Sequence, residues 1–255
     1  DGFCDGSSDS CTGVDCNDNN DCTQDSCSNG VCSHTSLSSG TSCSGGVCDG
    51  SGNCVECLNN QDCNDTNTST EDICLSDNTC VYNLDYTLFT TGNTWRAGTI
   101  GGVNGADQKC QQAAVNVGLT GIYKAWISYS SQSASSRLHH STVPYKRVTG
   151  VIIADNWNDL TDGSLDNSPN VNESGASIIF IPGRVMITAT GTTANGNPNP
   201  ASGGSEFGFC GSNWDSTLPS FRYGSITQVN LAWTENNFDV ACTSSARLYC
   251  LEQPS

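Results

Sequence analysis

The chain has 255 residues, 17 of them cysteine, and carries 26 acidic against nine basic side chains, for a formal charge of −17. Nucleic acid and anionic membranes need clustered Lys and Arg, so neither is an expected partner. No apolar run approaches the ~20 residues that span a bilayer, so we expect no membrane insertion. So many cysteines are unusual in a reducing cytosol. The sequence therefore predicts an extracellular or cell-surface protein, secreted with its leader removed, or a fragment of one.

Cysteine and charge divide the chain near residue 85. Residues 1–85 contain 13 of the 17 cysteines, 15 Asp or Glu, and neither Lys nor Arg. Their other apolar side chains number only twelve. These cannot offset the roughly 1–2 kcal/mol of backbone entropy that each ordered residue costs. Disulfides, each worth about 2–4 kcal/mol, must supply much of the stability. We predict a disulfide-rich, loop-dominated arm over 1–85 and a folded domain over 86–255.

The arm contains two imperfect repeats, over about 1–43 and 44–82. The run CNDNNDCTQDSC (16–27) recurs as CNDTNTSTEDIC (63–74) at an offset of 47 residues, and GFCDGSSDSC (2–11) resembles GVCDGSGNC (46–54). Cys22 aligns with Ser69, and Cys32 aligns with Cys80. The segment DCTQDSCSNGVCSHT resembles the slime-mould type of Cys-rich repeat, which occurs in extracellular matrix and surface proteins.

Thirteen cysteines cannot all pair within the arm. The repeat alignment gives two candidates for the thiol without a partner there, Cys4 and Cys22. Two interpretations are open: truncation or an unpaired thiol, and a disulfide to another chain. The Cys54-Val-Glu-Cys57 motif is interpreted as part of a disulfide framework rather than as a redox pair or half of a zinc site.

Acidic and amide side chains alternate between the cysteines of the arm. Oxygen ligands at every second position suit calcium, which would be the arm's only cofactor. The loop glycine and terminal Glu of an EF-hand are missing. The competing interpretation is Asx-turn chemistry, in which Asn and Asp bond their own backbone. The candidate calcium ligands are Asp15, Asn17, Asp25, Asp62, Asn64 and Asp72.

Residues 86–255 have the pattern of an α+β domain with long surface loops. Cys110, Ala113, Ala114 and Val117 recur at intervals of three and four, which predicts one helix over 105–117, ended by Gly118. Apolar and β-branched runs predict strands at 85–90, 124–129, 150–154, 177–181, 184–190, 231–234 and 247–251.

Four cysteines remain in this domain, and they allow three pairings. Cys110 lies on the predicted helix and Cys250 in the last predicted strand. A helix packed on a sheet that contains this strand would bring the two together. Cys210 and Cys242 would then form a nested disulfide.

Three blocks of the domain resemble a known family. They are GADQKCQQAAVNVGLTGIYKAWIS (105–128), VPYKRVTGVIIADNWNDLTDG (143–163) and ARLYCLEQPS (246–255). They are similar to blocks of endostatin, a collagen-derived member of the C-type lectin-like superfamily, and of a domain of unknown function in bacterial surface proteins. The resemblance covers roughly 86–255. It implies a C-type lectin-like (endostatin-like) α+β fold, with one main helix on a mixed sheet, and the same disulfide pairing.

The sugar site of C-type lectins is matched only in part. Asn197, Asn199 and Glu206 stand where those lectins carry calcium ligands, and Asp239 matches the Asp of their Trp-Asn-Asp motif. Phe238 replaces the amide ligand of that motif, and Asn197 replaces a Glu. We therefore expect any calcium at this position to bind weakly.

Two further features concern the surface. Trp214 is the aromatic residue to which we assign a surface role, because aromatic faces stack on sugar rings and form binding hot spots. Asn64, Asn67 and Asn172 begin sequons and are candidate glycosylation sites.

These patterns predict a non-catalytic protein. The chain carries no nucleophile motif and no phosphate-binding loop after a strand, so we expect no enzyme activity. The leading hypothesis is an extracellular recognition or adhesion module, with a lectin-like head on a disulfide-stiffened stalk, that binds a glycan or matrix protein. The alternative is a structural subunit of an extracellular filament or surface coat that self-associates through the Cys-rich arm.

Overall fold

A computed structural model describes residues 11, 13–67, 70–179, 186–199, 209–215, 220–236 and 238–254. The chain forms two compact units, an arm of Asp1–Asn83 and a C-terminal domain of Leu84–Ser255. Within the described ranges, no helix has both the length and the apolar character needed to cross a membrane.

Short antiparallel strands form the framework of the arm. In chain order they are β1 (Thr23–Ser28), β2 (Val31–Ser36), β3 (Ser42–Cys43), β4 (Gly46–Cys48), β5 (Cys54–Val55), β6 (Glu71–Cys74) and β7 (Cys80–Asn83), with a 3₁₀ turn at Asn60–Cys63. β1 pairs with β2 and β6 with β7, and β3, β4 and β5 form a three-stranded sheet. The prediction of a loop-dominated arm underestimated this regular structure, because sequences such as TQDSCS in β1 lack the apolar β-branched runs that mark strands.

Disulfides take the place of a hydrocarbon core in the arm. The six bridges are Cys11–Cys27, Cys16–Cys32, Cys22–Cys48, Cys43–Cys54, Cys57–Cys74 and Cys63–Cys80. The buried apolar side chains among the arm's described residues are Cys16, Cys22, Cys48, Cys57, Cys63 and Ile73. Cys22 is bonded to Cys48, so its interpretation as an unpaired or intermolecular thiol is wrong. Cys4 lies outside the described residues.

The two repeats share one covalent frame. Two bridges tie each hairpin to the segment before it, so a first hairpin unit (11–36) and a second hairpin unit (57–83) are equivalent. Cys11 therefore corresponds to Cys57, whereas the alignment of GFCDGSSDSC with GVCDGSGNC had matched it to Cys54. Cys54 instead bonds Cys43 within the connector (37–56) that carries β3, β4 and β5.

The C-terminal domain combines small sheets with few helices. Its strands are β8 (Tyr86–Thr90), β9 (Trp95–Arg96), β10 (Ile122–Ala125), β11 (Tyr145–Lys146), β12 (Ile152–Ala154), β13 (Ile187–Ala189), β14 (Ser220–Ser225), β15 (Asp239–Ala241), β16 (Ser245–Ala246) and β17 (Tyr249–Gln253). Its helices are α1 (Gly102–Asn116), α2 (Ala134–Arg137) and α3 (Trp157–Leu160), with 3₁₀ turns at Ala97–Thr99 and Leu231–Trp233 and a π-helical turn at Cys210–Trp214.

The main sheet has five strands in the order β10–β17–β8–β11–β12, and only the β8–β11 pair is parallel. A second sheet contains β13, β14 and β15, and β9 pairs with β16. This mixture of strands and few helices agrees with the α+β class. The C-type lectin-like fold itself stays a prediction.

Helix α1 is attached to the main sheet by packing and by sulfur. Its buried face consists of small residues, including Ala106, Cys110 and Ala114. The helix begins three residues before the predicted start, after Gly101, whose φ of 86° is open to glycine at little cost. Cys110 is bonded to Cys250 in β17, and Cys210 to Cys242. These are the pairs that the resemblance implied.

Several predicted strands differ from the structure. The segments at 85–90, 124–129, 150–154, 184–190 and 247–251 overlap β8, β10, β12, β13 and β17. The segment 231–234 instead forms a 3₁₀ turn, because the Asn230 side chain accepts a hydrogen bond from the Ala232 N–H and caps it. Ser177 makes only an isolated bridge to Val171, and residues 180–181 lie outside the described part.

Side chains of α1 close the free edge of β10. The Gln111 amide accepts from the Tyr123 N–H at 2.8 Å and donates to the Gly121 carbonyl at 3.0 Å. Asp107 Oδ1 accepts from the Ala125 N–H at 2.9 Å, and Arg137 Nη2 donates to both carboxylate oxygens of Asp107 at 2.7 Å. An unpaired edge strand invites other strands to pair with it. The helix therefore satisfies groups that a sixth strand would otherwise bind.

Replacing Gln111 by Ala should destabilise the C-terminal domain by about 1–2 kcal/mol, because the Tyr123 N–H in β10 and the Gly121 carbonyl just before it lose their partner. All five tryptophans lie beyond residue 85, so tryptophan fluorescence during urea unfolding reports on this domain alone. The matched control is Gln112→Ala, since Gln112 is exposed and bonds only Asn116 of the same helix in the contacts seen. If both variants lowered the free energy of unfolding by the same amount, the role of Gln111 would be contradicted.

Candidate functional site

The two candidate calcium loops of the arm have the same turn structure. In the first, Asn17 Oδ1 accepts from the Asn19 N–H at 2.9 Å, and in the second, Asn64 Oδ1 accepts from the Thr66 N–H at 2.8 Å. Asn19 and Thr66 both adopt left-handed φ angles, of 57° and 66°. The predicted offset of 47 residues thus joins positions with the same conformation.

The candidate ligand oxygens are bound to backbone N–H groups. Asp15 Oδ1 accepts from the Asn17 N–H, and Asp62 Oδ2 from those of Leu58 and Asn59. Asp25 and Asp72 each accept one N–H from the preceding loop, that of Asp18 and of Asp65 respectively. Asp15, like Asn17 and Asn64, thus forms the Asx turn of the competing interpretation, whereas Asp62, Asp25 and Asp72 bind N–H groups that precede them in the chain. Calcium binding by these loops stays a prediction, which calorimetric titration of the whole protein would test.

The structure brings Asp25 together with two residues that were not among the candidates, Asp18 and His34. His34 Nδ1 lies 2.7 Å from Asp25 Oδ1 and 3.4 Å from Asp18 Oδ2. His34 is the only side chain in residues 1–85 that can become a cation, among 15 carboxylates. We call Asp18, Asp25 and His34 the arm cluster.

The arm cluster shifts the titration of His34 and of Asp18. The hydrogen bond with Asp25 raises the pKa of His34 above its ordinary 6.5, and the two carboxylate charges add to this. The Asn20 backbone N–H, followed by the Thr23 hydroxyl, lowers the pKa of Asp18. Each charge therefore favours the ionised form of the other.

The second hairpin unit lacks this cluster. Asp25 lies opposite His34 in the β1–β2 register, whereas Asp72 lies opposite Tyr82 in β6–β7. Tyr82 offers no imidazole N–H, and Asp72 Oδ1 is buried without a hydrogen-bond partner. The two copies thus share a fold and differ in electrostatics.

The sequence contained a signal for the arm cluster. Asn29 and Gly30 have φ angles of 51° and 77° and form a two-residue hairpin turn. An Asn-Gly pair between two strands favours this turn and fixes the register. Counting outward from the pair places residue 25 opposite residue 34.

NMR titration of the whole protein should place the pKa of His34 above 6.5, and Asp25→Asn should move it down, because the strongest partner loses its charge. Asp72→Asn is the matched control, since it changes the same position of the second hairpin unit, opposite Tyr82. A His34 pKa that is unchanged in Asp25→Asn would refute the pairing.

The stability of the loop that contains Asp18 and Asn20 should depend on pH through the same charged groups. Because the pKa of His34 is raised, its contribution to the stability of the loop is complete below about pH 6.5. That contribution is lost as the pH rises through the pKa of the folded state. Because the pKa of Asp18 is lowered, its contribution to the stability of the loop is complete above pH 3.8 and is lost as the pH falls through the pKa of the folded state. The backbone N–H of Asn20 donates to Asp18. Its protection from hydrogen exchange should therefore be greatest between these two pH values. His34→Tyr should remove the decline at higher pH.

The candidate sugar-site residues that the structure describes are bonded to other groups of the protein. Asp239 Oδ1 lies 3.0 Å from Arg222 Nε, which already neutralises it. The Asn197 amide donates to Asn195, and the Asn199 N–H to the Gly191 carbonyl. Glu206 lies outside the described residues. The guanidinium beside Asp239 opposes a calcium ion there, because both are cations.

The surface role assigned to Trp214 is wrong. Its side chain is fully buried, and its indole N–H donates to the Ser128 carbonyl at 2.9 Å. It contacts Phe209 and Phe221 edge to face. The Gly, Ser and Asn residues around it in the sequence suggested a loop, whereas they form the π-helical turn that places the ring in the core.

A cavity of about 560 Å³ opens where β9, β13, β15 and β16 meet. Its lining combines hydroxyl groups, an apolar wall and one cation: Thr94, Met186, Ile187, Val240, Ser244, Ser245 and Arg247. Arg247 Nη1 donates to the carbonyls of Thr91 and Gly92, which holds the guanidinium in place. A concave apolar site with a few polar groups is the usual form of a small-ligand pocket.

A second group of carboxylates lies beside α3. Asp155, Asp159 and Asp166 place their oxygens within 4.8 Å of one another. Burial raises the pKa of Asp166, and repulsion from the neighbouring carboxylates raises it further. Asp159 Oδ2 accepts from the Asp155 N–H at 2.7 Å, so part of the group serves the start of the helix.

The sequons lie in different surroundings. Asn64 and Asn67 are exposed, and the Asn64 side chain forms the Asx turn with Thr66. Asn172 is half-buried, and its Oδ1 accepts from the N–H groups of Ser174 and Ala176 and from the Ser174 hydroxyl. Asn64 is therefore more accessible to a glycosylating enzyme than Asn172.

The structure defines a cysteine-rich protein with eight disulfides among its described residues. A scan against protein-family models and a search of curated proteins found no match to this chain.

Proposed function

We propose that the protein is an extracellular, non-catalytic recognition or adhesion module that binds a glycan or matrix protein through its C-terminal domain. The observation that carries the proposal is the sulfur-stabilised arm, whose described buried side chains are mainly cysteines. Such a unit loses its stabilising cross-links in a reducing compartment. An oxidising site of action, outside the cell, is the setting in which this arm keeps its fold.

The cavity at β9, β13, β15 and β16 is the proposed ligand site. Hydroxyl groups of Thr94, Ser244 and Ser245 can bond a polyhydroxylated ligand, and Met186 and Ile187 offer an apolar wall for a ring face. The expected calcium-dependent site is a poorer candidate, because Asp239 is already paired with Arg222. We therefore propose recognition that does not require calcium.

Binding of the whole protein to a glycan array and to immobilised matrix proteins, with calcium and with a chelator, tests the proposal. A ligand should be found in both conditions. Ser245→Tyr should weaken its binding at least tenfold, because Ser245 is exposed and the larger ring fills the cavity mouth. Thr243→Tyr is the control, since Thr243 is also exposed and is not among the residues that line the cavity. If the protein bound no glycan and no matrix protein, the proposed function would be wrong. If the two variants bound the ligand equally well, the cavity would not be the binding site.

A structural subunit of an extracellular filament or coat is the second candidate. It is favoured by the cysteine count, because 16 of the 17 cysteines pair within the chain. Comparison of molecular mass with and without reductant tests it. Covalent multimers that disappear on reduction support it, and a monomer under both conditions opposes it.

A further inference from the structure

The cavity at β9, β13, β15 and β16 holds a positive charge in a chain that is acidic as a whole. Arg247 is the cation among the described residues that line it, and none of those residues is Asp or Glu. The formal charge of the chain is −17. The few polar groups of a concave site fix the orientation of a ligand and select its chemical class. The charge inside this cavity therefore bears on which sugar it accepts.

The backbone holds Arg247 in place. Its Nη1 donates to the carbonyls of Thr91 and Gly92, just before β9. A side chain that is fixed in advance loses less conformational freedom when a ligand binds. Arginine also presents its N–H donors in a planar fork, which matches the two oxygens of a carboxylate. Arg247 thus lines the cavity as a guanidinium whose position is already set.

The strand register places a second arginine at the mouth of the cavity. Ser245 lies directly opposite Arg96 in the β9–β16 pair. Side chains at opposed positions project from the same face, with Cβ atoms about 4.5–5.5 Å apart. Ser245 lines the cavity and is exposed, and Arg96 is exposed as well. Arg96 therefore lies at the rim beside Ser245.

The opposite face of this strand pair is turned to the protein interior. Ala246 belongs to the hydrophobic core, and its partner Trp95 packs against that core. Because side chains alternate between the two faces of a strand, Thr94, Arg96 and Arg247 project from the other face. Thr94 and Arg247 line the cavity. Their position supports the placement of Arg96 on the same side.

Two carboxylates border this region and are engaged elsewhere. Asp239, which precedes Val240 of the cavity wall, places its Oδ1 3.0 Å from Arg222 Nε. Glu173 Oε2 accepts from the Gly92 N–H at 2.6 Å. Neither acid is among the residues that line the cavity. A carboxylate that a ligand carries thus meets guanidinium groups at a wall without an acidic side chain among the described residues.

We propose that the cavity recognises a glycan residue that carries a carboxylate, as uronic and sialic acids do. Arg247 and Arg96 bind the carboxylate, and the hydroxyl groups of the cavity bind those of the sugar ring. Such pairing acts at contact distance, whereas salt screens the net charge of the chain beyond about 8 Å. The inference rests on the proposed function, because it specifies the ligand of the cavity described there.

NMR titration of the whole protein with methyl glycosides tests the inference. The acidic probes are methyl glucuronide and the methyl glycoside of N-acetylneuraminic acid. Methyl glucoside is the neutral match of the first probe, and methyl glucoside with a sulfate ester at the same carbon is its sulfated match. We expect at least one acidic probe to bind about tenfold more tightly than methyl glucoside, because charge-assisted hydrogen bonds are stronger than neutral ones. Which acidic probe binds identifies the kind of acidic sugar.

Equal binding of methyl glucoside and the acidic probes would overturn the inference, because the arginines would then play no part in selection. Equal binding of the sulfated match would also overturn it, because the site would then respond to negative charge and not to a carboxylate.

Two arginine variants test the residues. Arg96→Gln should reduce the preference for the acidic probe over methyl glucoside roughly fivefold. Lys124→Gln is the matched control, since it removes the same charge from β10, outside the cavity lining. Arg247→Lys keeps the charge but not the planar fork, so it should reduce the preference too. Urea unfolding followed by tryptophan fluorescence shows whether each variant is folded. If the folded arginine variants kept the full preference, or if Lys124→Gln lost as much, the inference would be wrong.

The titration and the array experiment separate this inference from the proposed function. If the protein binds neutral glycans or matrix proteins, and Ser245→Tyr blocks that binding, the cavity is the ligand site and only the carboxylate preference is wrong. If no glycan, matrix protein or methyl glycoside binds, the proposed function fails and this inference fails with it.

Discussion

The arm depends on cross-links that replace hydrophobic burial. Its six described bridges close spans of 11 to 26 residues, and each such closure removes conformational freedom from the unfolded chain. In each hairpin unit, two bridges attach beside the turn of the hairpin, so the loop before its first strand is held by hydrogen bonds as well. The Asx turns at Asn17 and Asn64 supply these bonds. Sulfur thus sets the course of the chain, and polar side chains set the shape of the loops between the bridges.

This division of labour explains why so acidic a segment can fold. Fifteen carboxylates without Lys or Arg repel one another. Many of them are used as acceptors for backbone N–H groups, as at Asp15, Asp49 and Asp62. Hydrogen bonds favour the ionised carboxylate: the Asn53 side chain, followed by the backbone N–H groups of Ser51 and Asn53, lowers the pKa of Asp49. The C-terminal domain is stabilised differently, because it has a core of buried aromatic side chains in addition to its two disulfides.

Local patterns predicted the fold where they matched its physical cause. The face of α1 was readable because small residues recur at helical spacing around Cys110, and the helix in turn pointed to the Cys110–Cys250 pair. Strand β14, with the sequence SFRYGS, was missed because its apolar residues are few. The run at 231–234 looked like a strand, and the cap from Asn230 decided for a turn. The burial of Trp214 depends on Phe209, Phe221 and Ser128, which only the tertiary structure brings together.

In the arm, the sequence pattern alone cannot distinguish a calcium loop from an Asx turn, and the reason is physical. An Asx turn connects a side-chain oxygen at one position to the N–H two residues later, as from Asn17 to Asn19 and from Asn64 to Thr66. A calcium loop also places its oxygens at every second residue. The two chemistries therefore produce the same spacing in the sequence. They differ in whether the oxygens converge on one point. The residues across the hairpin also differ between the two copies. There, His34 faces Asp25 in one unit and Tyr82 faces Asp72 in the other. The cross-strand partner, set by the turn, therefore gives each copy of the loop a different charge environment.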